Sequence, residues 1–310
     1  MNISFYTLGC KLNFSETSFI ANDLKNNGFN EVNFNEIADI YVINTCTVTE
    51  NANKECKYLV RKALRQNQEA RVIIMGCYAQ LKPKEIQKIK GVDLILGNNE
   101  KFKLQQYLSD YSKNEKAKII QTNTTELTDF RSAFSFGNRT RSFLKIQDGC
   151  NYKCTFCTIP LARGINRSDE INNIIKRINQ LKKTGIKEIV LTGVNIGDFK
   201  TKNNKKLIDL LKEIDLIDNI RVRISSIEPN LITSEIIDLI SKSNTFVPHF
   251  HIPLQSGSDT ILKAMKRRYL TKKYQALIEE INSKIHNVCI GVDVIVGFPG
   301  ETDVFFNETL

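Results

Sequence analysis

The sequence predicts an α/β protein in two parts, an open parallel sheet followed by a barrel or partial barrel of βα units. Residues 1–125 alternate short β-type runs with amphipathic stretches, and a second series of this kind starts at Ser142. The segment between them is polar and lacks regular apolar periodicity, as connections between domains do. Strands that alternate with helices form right-handed βαβ units and parallel sheets. We therefore expect a first domain over 1–125, a linker over 126–140 and a second domain over 141–310.

The elements of the first part follow from its hydrophobic pattern. Short apolar runs bounded by polar residues predict strands, and apolar residues at helical spacing predict amphipathic helices. The predicted strands cover 3–8, 40–44, 72–75 and 92–96, and the predicted helices cover 15–27 and 51–66.

The second part has five strand-like runs, which read FLKIQD, EIVLTG, VRISSI, FHIPL and VDVIVGF. Helical patterns such as 169–183 and 272–285 separate them, which is the pattern of a barrel of βα units. The chain ends at NETL, shortly after GFPGET and inside the start of another helical pattern. We expect the series to be incomplete and the sequence to be a fragment that lacks its last barrel unit.

Composition indicates an ordinary folded protein. Hydrophobic residues make up 41% and charged residues 25%, which argues against disordered and fibrous classes. No apolar run approaches the roughly 18 residues that span a bilayer, and no secretory leader is visible, so we expect a cytoplasmic protein without a membrane partner. Eight cysteines in such a protein favour metal binding or catalysis over disulfides. The net charge of +10 suits a polyanion such as RNA, although solvated lysine faces would give the same count.

The strongest local signal is the spacing Cys150-x-x-x-Cys154-x-x-Cys157, directly after the strand FLKIQD. Active sites of βα barrels lie at the carboxyl ends of strands. Three thiolates on a short loop hold three irons of a 4Fe-4S cluster and leave the fourth iron open for a substrate. The alternative is half of a zinc site that uses Cys154 and Cys157. It is disfavoured because the chain has no second CxxC pair and its three histidines lie far away in sequence.

A second group consists of Cys10, Cys46 and Cys77, which follow the first, second and third predicted strands. In a parallel sheet the carboxyl ends share one edge, so three distant thiols would converge there and hold a second cluster with an open iron. The alternative is that three small buried cysteines happen to lie at strand ends. Cys56 in a helix and Cys289 at the start of a strand are interpreted as structural.

The residues around the six cysteines resemble the radical-SAM tRNA methylthiotransferases. The resemblance rests on TLGCKLN with Glu16, NTCTV, GCYAQ, LKIQDGCNYKCTFCTIPLARG, HIPLQSGSD and VDVIVGFPGET, in this order over nearly the whole chain. It implies a methylthiotransferase domain, a (β/α)6 radical-SAM barrel that is truncated here, two 4Fe-4S clusters and S-adenosylmethionine (SAM). Cys150, Cys154 and Cys157 would hold the cluster that cleaves SAM, and Cys10, Cys46 and Cys77 the auxiliary cluster that carries the sulfur.

The substrate is implied by finer resemblance. NTCTV, GCYAQ, IQDGC and IPLARG resemble most the branch that modifies C2 of N6-threonylcarbamoyladenosine at position 37 of tRNA. The isopentenyladenosine branch and the branch acting on an aspartate of a ribosomal protein remain alternatives. Another class of protein, an iron-sulfur electron carrier or RNA-binding module without turnover, is disfavoured because a carrier gains nothing from an open iron.

The resemblance also implies the residues that contact SAM. They share positions in loops at predicted strand ends, where βα loops converge. They are Phe156, Gly193, Asn195, Gly197, Glu228, Gln255 and Gly297. Each of them could instead have a turn or packing role.

The expected macromolecular partners are tRNA, through its anticodon stem-loop, and an electron donor such as flavodoxin or ferredoxin. Arg163 and Arg167 could pair with the SAM carboxylate or RNA phosphate, or lie on the solvated surface. The family usually has a further arginine where this chain has Asp169. Two basic stretches could also contact RNA phosphates: Arg61, Lys62 and Arg65, and Lys266, Arg267 and Arg268. In the family a small RNA-binding domain of the TRAM type follows the barrel, and we expect this chain to lack it.

Overall fold

The computed structural model describes residues 1–46, 50–109, 116–136 and 140–310. Thr47 and Val48 of the NTCTV motif and residues 137–139 of the predicted linker lie outside them. Contacts divide the chain into two units. Unit 1 contains Met1–Arg139 and Thr158–Ile165, and unit 2 contains Thr140–Cys157 and Asn166–Leu310.

Unit 1 is built on one parallel sheet. Its strands are β1 (Asn2–Thr7), β2 (Asn30–Val32), β3 (Ile40–Thr45), β4 (Arg71–Gly76), β5 (Leu94–Leu96) and β6 (Lys118–Ile120). They pair in the order β2-β1-β3-β4-β5-β6, and every pair is parallel. The predicted open parallel sheet is confirmed. The three-residue edge strands β2 and β6 were not predicted, because β2 is polar and largely exposed and β6 lies in the polar segment before the predicted linker.

Helices cover both faces of this sheet. The helices of unit 1 are α1 (Lys11–Asn26), α2 (Glu50–Gln66), α3 (Cys77–Leu81), α4 (Pro83–Ile86), α5 (Leu104–Ser109) and α6 (Ile159–Arg163). Along β4, Val72 and Ile74 belong to one buried cluster with Leu59 of α2, whereas Ile73 and Met75 belong to another. Burial on both faces explains why β3 and β4 are continuous apolar runs rather than alternating ones.

A buried group of charges joins α1 to α6 within unit 1. Lys101 Nζ lies 2.6 Å from Glu16 Oε2, and Arg163 donates to both oxygens of the same carboxylate, each at 3.0 Å. The three side chains are at most 2% exposed. Arg163 therefore lies in the interior, and the predictions that it meets SAM, RNA or solvent are wrong. The predicted boundary at residue 141 also did not anticipate that Thr158–Ile165 packs with unit 1.

Unit 2 is built mainly from parallel βα units. Its strands are β7 (Arg141–Lys145), β8 (Gln147–Asp148), β9 (Arg167–Ser168), β10 (Glu188–Thr192), β11 (Arg221–Ile224), β12 (His249–His251) and β13 (Cys289–Gly291). The parallel groups are β11-β10-β7 and β12-β13, and isolated parallel bridges connect Val222 to Phe246 and Ser226 to His251. The short strands β8 and β9 form a separate antiparallel pair. The expected partial barrel is confirmed as an open series. The pairings over residues 140–310 do not close into a barrel.

The helices of unit 2 follow its strands. They are α7 (Ile171–Lys183), α8 (Leu207–Asp215), α9 (Ser234–Lys242), α10 (Asp259–Ala264), α11 (Thr271–Lys284) and α12 (Asp303–Thr309). The strand predicted at VDVIVGF is wrong. β13 lies before it, and only Val294 forms a bridge, to Gln255. Alternation alone does not make a strand where partners are missing, and Val292, Val294 and Val296 are 44–64% exposed.

None of the helices in the described residues is both long enough and apolar enough to cross a bilayer.

The buried carboxylate of Glu16 should stabilise unit 1 strongly. Glu16→Gln leaves Lys101 and Arg163 buried without their anion, and breaking a buried ion pair costs about 3–5 kcal/mol. Hydrogen exchange of amides in β3 and β4 measures this loss. The matched control is Glu85→Gln, because Glu85 pairs with Lys82 at 3.2 Å with both side chains about half exposed, and an exposed pair contributes about 1 kcal/mol or less. Equal effects of the two substitutions would contradict the expected role of the buried group.

Candidate metal centres

Cys10, Cys46 and Cys77 lie in neighbouring loops at the carboxyl edge of the unit 1 sheet. Cys46 and Cys77 directly follow β3 and β4, and Cys10 follows β1 by three residues. These strands are adjacent, with Thr7 opposite Asn44 and Thr45 opposite Gly76. The predicted convergence of these three chain segments is thus present in the register of the sheet.

Two glycines allow the loops to approach. Gly9 and Gly76 both have φ of +101°, a conformation that residues with a Cβ rarely adopt. A Cβ on Gly9 would lie 2.7 Å from Cys46 Cβ, and a Cβ on Gly76 would lie 2.3 Å from Asn44 Oδ1. The chain before Cys10 therefore packs directly against Cys46.

Buried amides fix the same loops, and sequence reasoning did not single them out. Asn13 Nδ2 donates to the carbonyls of Leu8 and Thr45 at 3.0 and 3.2 Å, which joins the loops after β1 and β3. Asn44 Nδ2 donates to the carbonyl of Asn13 at 3.1 Å. Their signal was available, since each is a polar residue inside a cysteine motif.

The three cysteines differ in their positions and in their exposure. Cys10 is the N-cap residue of α1, and Cys77 is the first residue of α3. Asn98 Nδ2 lies 3.7 Å from Cys77 Sγ. Cys10 is exposed, Cys46 is half-buried and Cys77 is buried, so the edge is open on one side.

The donor type suits an iron-sulfur cluster, since such clusters are held by cysteine thiolates that each bind a different iron. Over the described residues, no group of three His, Cys, Asp or Glu side chains is arranged to hold a single ion. Three thiols on adjacent loops with an open side suit a cluster that keeps one iron accessible.

Cys150, Cys154 and Cys157 share the loop after β8 in unit 2. All three are half-buried. Burial raises the pKa of Cys150 to about 11, against the lowering effect of the Tyr152 backbone N-H, which lies 3.4 Å from its sulfur. Thr155 anchors the loop through its N-H and hydroxyl, which donate to the carbonyls of Met265 and Ala264 at 3.2 and 3.1 Å. A metal that binds the thiolate would supply the charge that stabilises it in this desolvated place.

Arg267 contacts this loop from the segment after α10. Its side chain is 3% exposed, Nη1 donates to Cys154 Sγ at 3.1 Å and Nη2 donates to the carboxylate of Glu228. Burial lowers the pKa of Arg267, but the ion pair with Glu228 outweighs burial and raises it. The prediction that Arg267 contacts RNA is wrong, because its guanidinium is turned inwards. Its neighbour Arg268 is exposed, with its guanidinium 3.7 Å from the centre of the Tyr152 ring.

Gln147 connects the cysteine loop to the GVNIG segment, and it was missed from sequence. It is fully buried. Its Oε1 accepts from the N-H groups of Val194 and Asn195 at 2.8 and 2.9 Å, and its Nε2 donates to the carbonyl of Gly149 at 2.7 Å. The available signal was an amide residue near the end of the apolar run FLKIQD, just before the cysteine loop.

The residues predicted to bind SAM lie in loops after strands of unit 2. Gly193, Asn195 and Gly197 follow β10, Glu228 follows β11, Gln255 follows β12, and Phe156 lies between Cys154 and Cys157. Gly193 and Gly197 also pack closely, since a Cβ on either would lie 2.7 Å from Gln147 Oε1 or Leu231 Cβ. Gly297 is exposed and lies beyond the bridge at Val294. Their contacts with SAM remain predictions.

The other predicted side chains have internal partners or structural positions. Arg167 Nη2 donates to Asp148 Oδ2 at 3.1 Å and the side chain is 11% exposed. The carboxylate of Asp148 therefore competes with SAM or RNA for the guanidinium of Arg167. Cys56 is buried in α2, and desolvation raises its pKa to about 12, as expected of an unreactive structural thiol. Cys289 begins β13 and is exposed.

A basic groove lies on unit 1, with a volume of about 1190 Å³. Its basic lining residues are Lys57, Arg61, Arg65, Lys88 and Lys90. Glu85 is the acidic residue of the lining. Arg61 and Arg65 of the predicted basic stretch thus line the groove, whereas Lys62 does not.

Two family models match the chain. Residues 2–97 match the uncharacterized protein family UPF0004, and residues 144–310 match the radical SAM superfamily. The chain is similar to the threonylcarbamoyladenosine tRNA methylthiotransferase MtaB of Bacillus subtilis, at 42% identity over 99% of this chain and 69% of the relative. It is also similar to the protein of the same name from Aquifex aeolicus, at 38% identity over 100% of this chain and 76% of the relative.

Another relative is the tRNA-2-methylthio-N(6)-dimethylallyladenosine synthase of Fusobacterium nucleatum, at 35% identity over 99% of this chain and 72% of the relative. Among solved structures, the radical SAM methyltransferase TsrM from Kitasatospora setae, with cobalamin and a [4Fe-4S] cluster bound, has a TM-score of 0.66. It is 14% identical, and the match covers 98% of this chain and 71% of TsrM. At this identity the likeness supports the fold alone.

Substitution of Gly9 tests the geometry of the first cysteine group. Gly9→Ala forces a Cβ to within 2.7 Å of Cys46 Cβ, so we expect reconstituted protein to lose about four of about eight irons. Gly28→Ala is the control, because Gly28 has a similar φ of +89° and open space where a Cβ would lie. Iron and sulfide analysis measures both variants. Equal iron content in Gly9→Ala, Gly28→Ala and the parent would show that the approach of these loops does not matter for metal binding.

Proposed function

Because the chain belongs to the radical-SAM methylthiotransferase family, we propose that it transfers a methylthio group to C2 of N6-threonylcarbamoyladenosine at position 37 of tRNA. Four relatives that bear this enzyme name, at 34–42% identity over at least 98% of the chain, carry the proposal. Enzymes of this family use SAM and [4Fe-4S] clusters. The chain is thus an enzyme, and the alternative of an electron carrier without turnover is set aside.

The chemistry of the substrate agrees with two cluster sites. C2 of adenine carries no acidic proton and offers nothing to a nucleophile, so cofactor-based radical chemistry is needed rather than an acid-base pair. We assign SAM cleavage to a cluster on Cys150, Cys154 and Cys157, and sulfur delivery to a cluster on Cys10, Cys46 and Cys77. Bound clusters would supply the electron and the sulfur. The protein supplies three cysteine ligands to each cluster, which leaves one iron open, and it holds the cysteine loops in position.

The chain's own residues would orient SAM. In this proposal Phe156 lies beside the adenine, and Gln147 holds the GVNIG loop, with Gly193, Asn195 and Gly197, against the cysteine loop. The three hydrogen bonds of Gln147 to that loop and to Gly149 support this arrangement. Glu228, Gln255 and Gly297 are assigned to the same mouth on their positions in βα loops.

The second candidate substrate is the isopentenyl counterpart of the same nucleoside. The Fusobacterium relative, named for the dimethylallyl derivative, is 35% identical over 99% of the chain, close to several relatives of the first group. The two substrates differ in the group on N6 and share the reacting C2. The distinction is therefore one of recognition and not of chemistry.

RNA binding is assigned to the basic groove. Five exposed cations with one carboxylate in the lining suit the phosphates of a tRNA stem, and such contacts give affinity without sequence information. The reductant is proposed to be a flavodoxin or ferredoxin, and the compartment to be the cytoplasm, where tRNA is modified.

Product analysis tests the function directly. Anaerobically reconstituted protein with SAM and dithionite should methylthiolate tRNA that carries threonylcarbamoyladenosine in preference to tRNA that carries isopentenyladenosine, measured by nucleoside mass spectrometry. Alanine variants of Cys10, Cys46 and Cys77, or of Cys150, Cys154 and Cys157, should lower iron from about eight to about four and abolish product. A paired Cys56→Ala, Cys289→Ser variant is the control. Preference for the isopentenyl substrate would transfer the assignment to the second candidate.

The groove predicts a change in the salt dependence of tRNA binding. Arg61→Gln and Arg65→Gln should each weaken binding and lower the slope of log K against log salt by about 1, because each removes one phosphate contact. Fluorescence anisotropy at several salt concentrations measures the slope. Lys62→Gln lies on the same helix outside the groove lining and should leave the slope unchanged. Slopes that respond equally to all three substitutions would place RNA elsewhere.

A further inference from the structure

The guanidinium of Arg267 makes three hydrogen bonds, and one of them is to the sulfur of Cys154. Arg267 Nη1 donates to Cys154 Sγ at 3.1 Å, while Nη2 donates to Glu228. Its third nitrogen, Nε, donates to the hydroxyl of Tyr269 at 3.2 Å. A guanidinium is a planar fork, so partners in these three directions fix both its position and its orientation.

The segment that carries Arg267 is itself braced within unit 2. The backbone N-H of Arg267 donates to the carbonyl of Leu262 at 2.9 Å. The Tyr269 hydroxyl lies 2.8 and 2.7 Å from the carbonyls of Pro253 and Leu254. On the other side, Thr155 of the cysteine loop donates to the carbonyls of Ala264 and Met265. The segment that carries Arg267 is thus hydrogen-bonded to the loop that carries Cys154.

We propose that Arg267 is a positioning residue that donates a charged hydrogen bond to the ligand sulfur of Cys154, and thereby makes the SAM-cleaving cluster easier to reduce. The inference rests on the proposed function, in that Cys154 is a cluster ligand there. A reduced cluster carries more negative charge on its sulfurs than an oxidised one. A donor aimed at a sulfur therefore stabilises the reduced form more, and hydrogen bonds to sulfur are among the factors that set cluster potentials.

Glu228 acts in this proposal through Arg267. Its carboxylate is 16% exposed and pairs with a guanidinium that is 3% exposed. A buried cation needs a partner anion, and charge-assisted pairs of this kind hold a guanidinium in one direction. The pair is neutral as a whole, so its effect on the cluster comes mainly from the direction of the N-H groups. The effect of this ion pair therefore depends on the direction of the Arg267 N-H groups, whereas the effect of an unpaired positive charge near the cluster would not.

The reduction potential of the cluster tests the proposal without methylthio transfer. Variants are made in the background in which Cys10, Cys46 and Cys77 are alanine, so that about four irons report one site. Dithionite titration with redox dyes, followed by electron paramagnetic resonance, gives the midpoint potential in the absence of SAM. Arg267→Met should shift the potential to more negative values, and Arg267→Lys should give a smaller negative shift, because it keeps the charge but loses the fork. SAM cleavage should fall about 10- to 100-fold in Arg267→Met.

Two controls separate the hydrogen bond from charge. The double variant Arg267→Met, Glu228→Gln removes the neutral ion pair without changing the net charge, and its potential should stay negative of the parent. Arg268→Met removes a positive charge one residue away that lies over Tyr152, and should shift the potential less than Arg267→Met.

The outcomes distinguish two failures. A parental potential in the double variant, or equal shifts in Arg267→Met and Arg268→Met, would overturn the role of Arg267. Absence of iron from the background variant itself would instead overturn the assignment of Cys150, Cys154 and Cys157. If Arg267→Met fails to load iron, the loaded Arg267→Lys variant decides, and a parental potential there overturns the proposal.

Discussion

Parallel pairing imposes a single direction on the six strands of unit 1, so their connections return across a face of the sheet and the strands end at the same edge. Cys46 and Cys77 follow β3 and β4 without an intervening residue, which leaves them little freedom to lie anywhere but at that edge. Two residues separate Cys10 from β1, and there Gly9 and the Asn13 amide bring the loop back onto Cys46 and Thr45. In unit 2 parallel pairing likewise directs the loops after β10, β11 and β12, whereas the cysteine loop follows β8, which pairs antiparallel with β9.

Buried charges follow a second rule in both units, because a cation removed from water requires an anion. Arg163 shares the carboxylate of Glu16 with Lys101, and Arg267 pairs with Glu228. In each case the sequence suggests that the arginine binds an external anion, but in the structure it forms an ion pair with a carboxylate of the chain itself. The consequences differ, since Arg163 holds α6 within unit 1, whereas the fork of Arg267 has a donor left for the sulfur of Cys154.

Local order in the sequence explains why the sheet of unit 1 and the loop positions of the six cysteines could be predicted, because spacing after a strand determines the edge. The pairing of charges could not be predicted, because Arg163 and Glu16 are separated by 147 positions and Arg267 and Glu228 by 39. Nothing in a basic stretch such as Lys266, Arg267 and Arg268 indicates which member faces inwards. VDVIVGF was wrongly predicted to be a strand. Its residues alternate as in a strand, but most of the expected hydrogen-bond partners on a neighbouring strand are missing.

The net charge of +10 therefore says less about RNA than the distribution of carboxylates does. Cations that form ion pairs with internal carboxylates, such as Lys101, Arg163 and Arg267, contribute little to the electrostatic potential at the surface. In the groove on unit 1, five cations share a lining with one acidic residue, Glu85, which itself lies 3.2 Å from Lys82. A local excess of that kind is not neutralised within its lining, and it attracts phosphate over a distance set by the Debye length. Charge available to a polyanion is thus concentrated where the carboxylates are few, a property that the total charge of a chain does not reveal.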